Sequence, residues 1–315
     1  MSTHVRSLII LTVVLFSLLA VFGYSTFGTL PHPAVAADPA APVPAFKHIF
    51  VIVLENHTYD QVIGNRAAPY LNTLAKQYGL ATQYYGVAHP SLPNYLALTG
   101  GDTFGITKDC IDCFVDQPNL ADQIEAHGRS WKAYMESMPS PCFVGDAPPL
   151  YRQKHNPFIY YDSIRNDPAR CGQIVPLTAL ADDLKANILP DFSWITPNMC
   201  NDGHDCEIGA TNTWLETWIP AILESPAWRD DGALFITFDE GESGDDGGSC
   251  QYARGGQIAT LVISPLARPG YRSTIGYTHY ALLRTIEAAW QLPPLGRAAC
   301  DCSPTMADFF TPMPQ

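Results

Sequence analysis

The chain has 315 residues, 47 % of them hydrophobic and 16 % charged, and its 31 acidic against 18 basic side chains give a formal net charge of −13. A hydrophobic share at the globular norm, with 6 Trp and 15 Tyr, excludes a disordered chain. An acidic protein without a basic cluster also excludes nucleic acid as an expected partner, and the length suits one α/β enzyme domain of roughly 250 to 300 residues.

Arg6 precedes the apolar run Leu8 to Phe22, and the small-residue site Ala34-Val35-Ala36 follows it. This is a secretory signal pattern. Residues 1–36 are therefore expected to be a signal peptide, 37–45 a Pro/Ala-rich lead-in and 46–315 a single domain. The long spacer Gly23 to Pro33 leaves a retained anchor open, although the apolar run is short for a bilayer span. Either way the expected location is secreted or extracytoplasmic.

His48 to Leu54 is a continuous apolar run that predicts a strand buried on both faces. Pro69 to Tyr78 predicts a helix, with Leu71, Leu74 and Ala75 at helical spacing and Gly79 as its stop. A turn at His89-Pro90-Ser91 leads into a short helical segment around Asn94 to Leu98, ending at Gly100-Gly101. Helices are predicted over Leu120 to Ala126, Leu177 to Asn187, Thr213 to Leu223 and Tyr280 to Trp290. Strands are predicted over Phe192 to Thr196, Ala233 to Phe238 and Ile258 to Ser264. Strands separated by helical stretches predict an α/β fold, an α/β/α sandwich on a mainly parallel central sheet.

The nine cysteines all follow residue 100, and in an exported chain disulfides are the default. The spacings favour local loops: Cys110 and Cys113 frame a tight turn, Cys200 and Cys206 frame a polar loop, and Cys142 with Cys171 is a candidate brace for a longer excursion; the exact pairing does not follow from sequence, and an odd count leaves one thiol over. Zinc would need a second matched pair beside Cys110-x-x-Cys113, and the remaining close pair is Cys300-x-Cys302.

In such sheets polar chemistry gathers where strands end. Glu55-Asn56 closes the first strand, where it serves either a capped turn or a hard cation. Asp239-Glu240 closes the strand Ala233 to Phe238, and two adjacent acids leaving a buried strand need solvent or a cation to compensate them. Asp245 and Asp246, farther along the Gly/Asp-rich loop, lack calcium-loop spacing and are expected to face solvent. Ser91 stands at the predicted N-cap of its helix, a position that suits both capping and an approaching phosphate. His204 lies between Asp202 and Asp205 in a loop framed by Cys200 and Cys206, which suits a general acid or a phosphate-oxygen donor. His279, just before the last helix, is by itself as consistent with a structural hydrogen bond.

Four ordered segments, FVIVLENHTYDQVIGN, HPSLPNYLALTGG, ITFDEG and HYALLRTIEAAW, resemble those of the bacterial phosphoesterase family, from about residue 46 to residue 292. That family contains secreted acid phosphatases and phospholipases C and is related to the alkaline phosphatase superfamily. The chain is most similar to its short secreted acid phosphatases, including those acting on phosphatidylinositol 3-phosphate. The resemblance implies that Glu55, Asn56, Asp239 and Glu240 bind one divalent metal ion and that Ser91, two positions before Pro93-Asn94, is the nucleophile. It also implies that His204 and His279 line the phosphate pocket; in the chemistry that follows the leaving alcohol takes its proton from His204 or from water, and Asn94 and Asp205 are further substrate-binding candidates. An oxygen-rich set favours a calcium-, magnesium- or manganese-type ion.

Two departures bear on specificity. His57 stands where many relatives have Arg, and the large C-terminal regions of the family's phospholipases C have no counterpart here. The expected function is therefore a secreted, metal-assisted phosphomonoesterase acting on a small-molecule or lipid phosphate, with transient contact to a membrane surface. A phospholipase C or other phosphodiesterase on the same site is the alternative, and an exported binding protein with decayed activity is the third reading.

Overall fold

The computed structural model describes residues 42–242, 248 and 250–310. The expected signal peptide, Asp245 and Asp246 lie outside them. Among the described residues nine strands form one sheet: β1 (Ile49–Leu54), β2 (Gly79–Tyr85), β3 (Trp131–Met135), β4 (Ile174–Pro176), β5 (Phe192–Thr196), β6 (Ala233–Phe238), β7 (Gln257–Ile263), β8 (Arg272–Ser273) and β9 (Tyr277–Thr278). Ten α-helices accompany them: α1 (Tyr59–Val62), α2 (Pro69–Gln77), α3 (Ser91–Gly100), α4 (Leu120–Ala126), α5 (Asp162–Arg165), α6 (Pro168–Cys171), α7 (Thr178–Ala186), α8 (Ile208–Glu224), α9 (Pro226–Arg229) and α10 (His279–Ala289).

The strand order is β4-β3-β5-β1-β6-β7-β2-β8, with β9 beside β2. β1 and β6 sit at the centre, and all six residues of each are buried. Successive side chains of a strand point to opposite faces, so burial of every residue means that both faces of the sheet are covered. Each buried Leu, Ile, Val or Phe side chain there stabilises the fold by about 1.5–3 kcal/mol. Helix α2 packs on α8, and α10 packs on α3.

The sheet is mostly parallel, as the alternation of strands and helices predicted. One strand is reversed: β7 runs antiparallel to both β6 and β2. The cause is the connection. A parallel return needs a crossover of a dozen or more residues, usually helical, whereas the Gly/Asp-rich segment after β6 carries no helical period and brings the chain back alongside.

Five strands escaped the periodicity: β2, β3, β4 and the two-residue β8 and β9. β2 follows α2 directly, so Gly79 ends the helix but also begins a strand. A Cβ there would stand 2.4 Å from the Phe309 ring, and close approach is what demands glycine. β3 contains Lys132, which pairs with Asp183 on α7 at 2.6 Å, and β4 has only three residues. The helix around Asn94 extends from Ser91 to Gly100, and Gly101 closes it at φ 73°. Ser91 is the first helical residue rather than the N-cap, which is Pro90, and its hydroxyl makes no capping bond.

Cys110–Cys113 and Cys200–Cys206 close locally, Cys142–Cys171 braces a longer excursion, Cys300–Cys302 is a fourth disulfide, and Cys250 is the free thiol.

Candidate functional site

The site is assembled by strand register. Leu54 and Phe238 are partners across the parallel β1–β6 pair, so the residues that follow, Glu55 and Asp239, leave the sheet side by side. Asn56 adopts φ 53°, a left-handed conformation that Asn tolerates. That turn aims its backbone N–H at Asp239 Oδ1, 3.1 Å away. Glu240 follows, and Ser91 at the start of α3 faces both strand ends. Its hydroxyl donates to Glu55 Oε2 at 3.0 Å and lies 3.4 Å from Glu240 Oε1. Ser91, Glu55, Asp239 and Glu240 are all buried.

Three carboxylates around one hydroxyl carry a large electrostatic cost. Burial, followed by repulsion from Glu55, pushes Glu240 up to about 8. Asp239 rises as well, through burial first and then the charges of Glu55 and Glu240. Burial would raise Glu55 too, but the adjacent His155 outweighs it and holds Glu55 near 2. His155 lies between Glu55 and Asp202, each 3.2 Å away. Burial would lower it, yet those two carboxylates raise it to about 9. The Tyr95 ring stacks on His155, and the Tyr95 hydroxyl donates to Glu55 Oε1 at 2.6 Å.

Above Ser91 opens a pocket of about 300 Å³, walled by Asn56, Asp109, Lys154, His204 and Glu240. Lys154 Nζ donates to Asp109 Oδ2 at 2.9 Å and to His204 Nε2 at 3.2 Å. His204 Nδ1 in turn donates to Asp205 Oδ1 at 2.7 Å, and the His204 backbone N–H donates to Asp202. The loop that carries these groups is closed by Cys200–Cys206. His89 Nδ1 packs against Glu240 Oε2.

The structure thus brings together Glu55, Asn56, Ser91, His204, Asp239 and Glu240. Three other expected residues stand differently. The Asn94 side chain is buried and spent on backbone: it accepts from Val87 and Ala88 and donates to Ala88 and Pro90. It shapes the turn that presents Ser91. His279 is fully buried behind the site, hydrogen bonded to the Asp239 carbonyl and to Tyr84, and burial lowers it to about 4. Asp205 is half exposed and orients His204 rather than walling the pocket.

Lys154, His155 and Asp109 were not anticipated. Lys154 and His155 sit on a single 3-10 turn, Gln153–His155, which has no periodicity to read. Arg152, one residue earlier, pairs with Asp146 instead.

Two convergences invite a cation. In the first, Asp239 Oδ2 is buried with no hydrogen-bond partner, beside Glu55, Glu240 and Ser91 Oγ. An oxygen set with excess negative charge and an unmatched buried oxygen fits a hard divalent ion. In the second, ligand atoms of Glu55, His155 and His204 lie within 4.8 Å of one another. There, however, the Lys154 ammonium already faces His204 Nε2, and like charges would compete. The first set is the better fit.

Known proteins resemble this chain in sequence and in fold. The chain belongs to the Phosphoesterase family, whose model matches residues 65–293. It is 34 % identical over 283 residues to an acid phosphatase of Aspergillus fumigatus, covering 85 % of this chain and 61 % of that protein. It is 33 % identical over 297 residues to a phosphatidylinositol-3-phosphatase of Mycobacterium tuberculosis, covering 93 % and 91 %. The chain spans about 60 % of the length of the fungal relatives. In fold it resembles the lipoteichoic acid synthase LtaP of Listeria monocytogenes, with a TM-score of 0.59 at 10 % identity over 84 % of this chain and 78 % of that one. An alkaline phosphatase superfamily protein of Vibrio parahaemolyticus gives 0.55 at 14 %, over 82 % and 72 %. The family model begins after Glu55 and Asn56, so those two rest on the geometry of the site.

Proposed function

We propose that the protein is an exported phosphomonoesterase that uses Ser91 as nucleophile beside one divalent metal ion. The observation that carries this reading is the Ser91 hydroxyl, buried between Glu55 and Glu240 at the floor of a pocket with a cation, Lys154, on its wall. Phosphoryl transfer needs an in-line nucleophile, positive charge at the equatorial oxygens and a proton for the leaving group.

Glu55, Asn56, Asp239 and Glu240, with Ser91 Oγ, are the atoms that would hold the metal. When bound, it supplies Lewis-acid stabilisation of the serine alkoxide and of the phosphoryl oxygens. The chain's own residues do the rest. Ser91 Oγ attacks phosphorus, its proton already directed at a carboxylate, and the ester oxygen leaves with a proton from the Lys154–His204 pair. Lys154 neutralises phosphate charge, while at the start of α3 the Leu92 N–H donates to Asp109 Oδ1 at 3.0 Å and fixes that side chain beside Lys154. Water then cleaves the phosphoserine and releases inorganic phosphate. Asp109 and Asp205 fix Lys154 and His204, and the Cys200–Cys206 closure holds their loop.

The mycobacterial relative named for a phosphoinositide supports lipid phosphate monoesters among the substrates, and four disulfides support a location outside the cytoplasm. The test is phosphate release from p-nitrophenyl phosphate and from a phosphoinositide panel, for the wild type and Ser91→Ala, with and without a chelator. Turnover that survives Ser91→Ala would sink the nucleophile. Turnover of phosphodiesters alone would move the assignment to a phosphodiesterase, and phosphate binding without turnover would favour a binding protein.

A further inference from the structure

Among the described residues, Ile111, Val144, Leu150 and Ile188 are the large hydrophobic side chains left exposed, at 52 %, 47 %, 40 % and 64 %. Single exposed aliphatics need no explanation. Three of these four, however, belong to one place. Val144 and Leu150 flank a hairpin whose Ala147 and Tyr151 exchange backbone hydrogen bonds at 3.1 Å, and Pro148 and Pro149 at its tip are exposed too. Pro148-Pro149-Leu150 is thus a run of consecutive apolar residues in solvent, a pattern that a folded surface avoids unless it is used. Ile111 joins through Gln153, a buried side chain whose amide donates to the Ile111 carbonyl at 2.9 Å and accepts from Gly145. Two disulfides, Cys110–Cys113 and Cys142–Cys171, hold the roots of both loops.

The same framework forms the wall of the candidate active site. Ile111 is two residues from Asp109, Gln153 immediately precedes Lys154, and the Leu150 carbonyl accepts from Met199 in the loop of His204. The exposed apolar side chains are therefore carried by the same two linked loops that supply the pocket-wall residues Asp109 and Lys154.

We propose that this rim, Ile111 with the 144–150 hairpin, docks the protein on a lipid surface, so that phosphate monoesters packed in that surface reach Ser91. The proposal rests on the phosphomonoesterase reading above. Charge selects the kind of surface. In a chain of net charge −13, segments 108–113 and 142–154 carry three cations, Lys108, Arg152 and Lys154, and three anions, Asp109, Asp112 and Asp146. A charge-balanced tip fits a zwitterionic lipid face, with insertion driven by apolar area. A protein partner is less well served, because such interfaces centre on exposed aromatic or Arg anchors. Here Phe143 packs against Tyr151, which is buried, and Arg152 is paired with Asp146.

The test is sedimentation of the full chain with phosphatidylcholine vesicles, with and without a minor fraction of phosphatidic acid. The triple variant Ile111→Ser/Val144→Ser/Leu150→Ser is compared with Ile188→Ser, whose neighbours Asn187 and Leu189 line a cavity with Lys47 and His48 at the opposite, entering end of β1. Wild type and Ile188→Ser are expected to bind both vesicles, and the triple variant to lose at least about tenfold in affinity. All three should hydrolyse p-nitrophenyl phosphate alike, which also shows that they are folded. Vesicle binding that is absent in the wild type, unchanged in the triple variant or equally lost in Ile188→Ser would overturn the proposal. Sedimentation needs no turnover, so tip-dependent binding by a protein without phosphatase activity would sink the phosphatase reading and leave the rim standing.

Discussion

Glu55 and Asp239 lie 184 positions apart in sequence yet emerge together, because β1 and β6 are parallel and in register up to Leu54 and Phe238. The backbone N–H of Asn56 spans the two, donating to Asp239 Oδ1 and leaving Oδ2 without a partner in the interior. That unmatched oxygen gives the clearest reason to expect a cation.

Asp239→Asn separates the electrostatic cost of the site from its use. Burial and neighbouring acids raise the folded-state pKa of Asp239, so its ionisation disfavours the folded state once pH exceeds the unfolded value. In the presence of a chelator, the Asn variant should unfold at a higher temperature than the wild type at neutral pH. Added calcium or manganese should stabilise the wild type and stabilise the variant far less. A variant that gains as much from the ion as the wild type would remove Asp239 from the ligand set.

Lys154 is expected to act on charged substrate. Lys154→Met should lower kcat/KM by about ten- to a hundredfold, the range for losing one charge-assisted hydrogen bond. Most of the loss should appear in KM, measured with p-nitrophenyl phosphate at fixed ionic strength. An unchanged KM would show that the ammonium serves only Asp109 and His204.

Removing the closure behind His204 should cost both stability and activity. The double variant Cys200→Ser/Cys206→Ser opens a loop with a sequence separation of 6, worth about 2 kcal/mol in chain entropy. Denaturant unfolding reads the first effect. The second is a fall in turnover in native buffer, and full activity there would mean that Asp205 and Lys154 hold His204 unaided.

Glu287 on α10 predicts a pH dependence away from the site. It is buried, accepts from the Leu295 N–H with one oxygen and leaves the other unpartnered. Burial outweighs that bond and the nearby Arg284 and raises it from 4.5 to about 8. Between these values the unfolded chain has released a proton that the folded one keeps, so stability falls as pH rises through the window. One proton accounts for about 1 kcal/mol per pH unit. Glu287→Gln should flatten this decline in thermal or urea unfolding from pH 5 to pH 8. A slope identical to that of the wild type would show that Glu287 ionises freely.

Much of the site was legible because its residues end long apolar runs. Glu55-Asn56 and Asp239-Glu240 follow strands buried on both faces, and the chain has to leave a sheet somewhere. Ser91 was legible from its turn and helix, although the helix begins one residue earlier than a cap would require, and the hydroxyl is spent on carboxylates instead. Lys154 and His155 were not legible, because a three-residue turn carries no period and no neighbouring signal.

The sequence by itself determined the α/β class, the central strands, most helices and the polar groups at their ends, since these follow from local spacing of apolar side chains. Only the tertiary structure decided that β7 runs backwards, that Asn94 braces a turn, that His279 lies behind the pocket and that Lys154 stands in it. Those outcomes depend on contacts between segments far apart in the chain, where burial and charge are fixed by what packs opposite rather than by what lies adjacent in sequence.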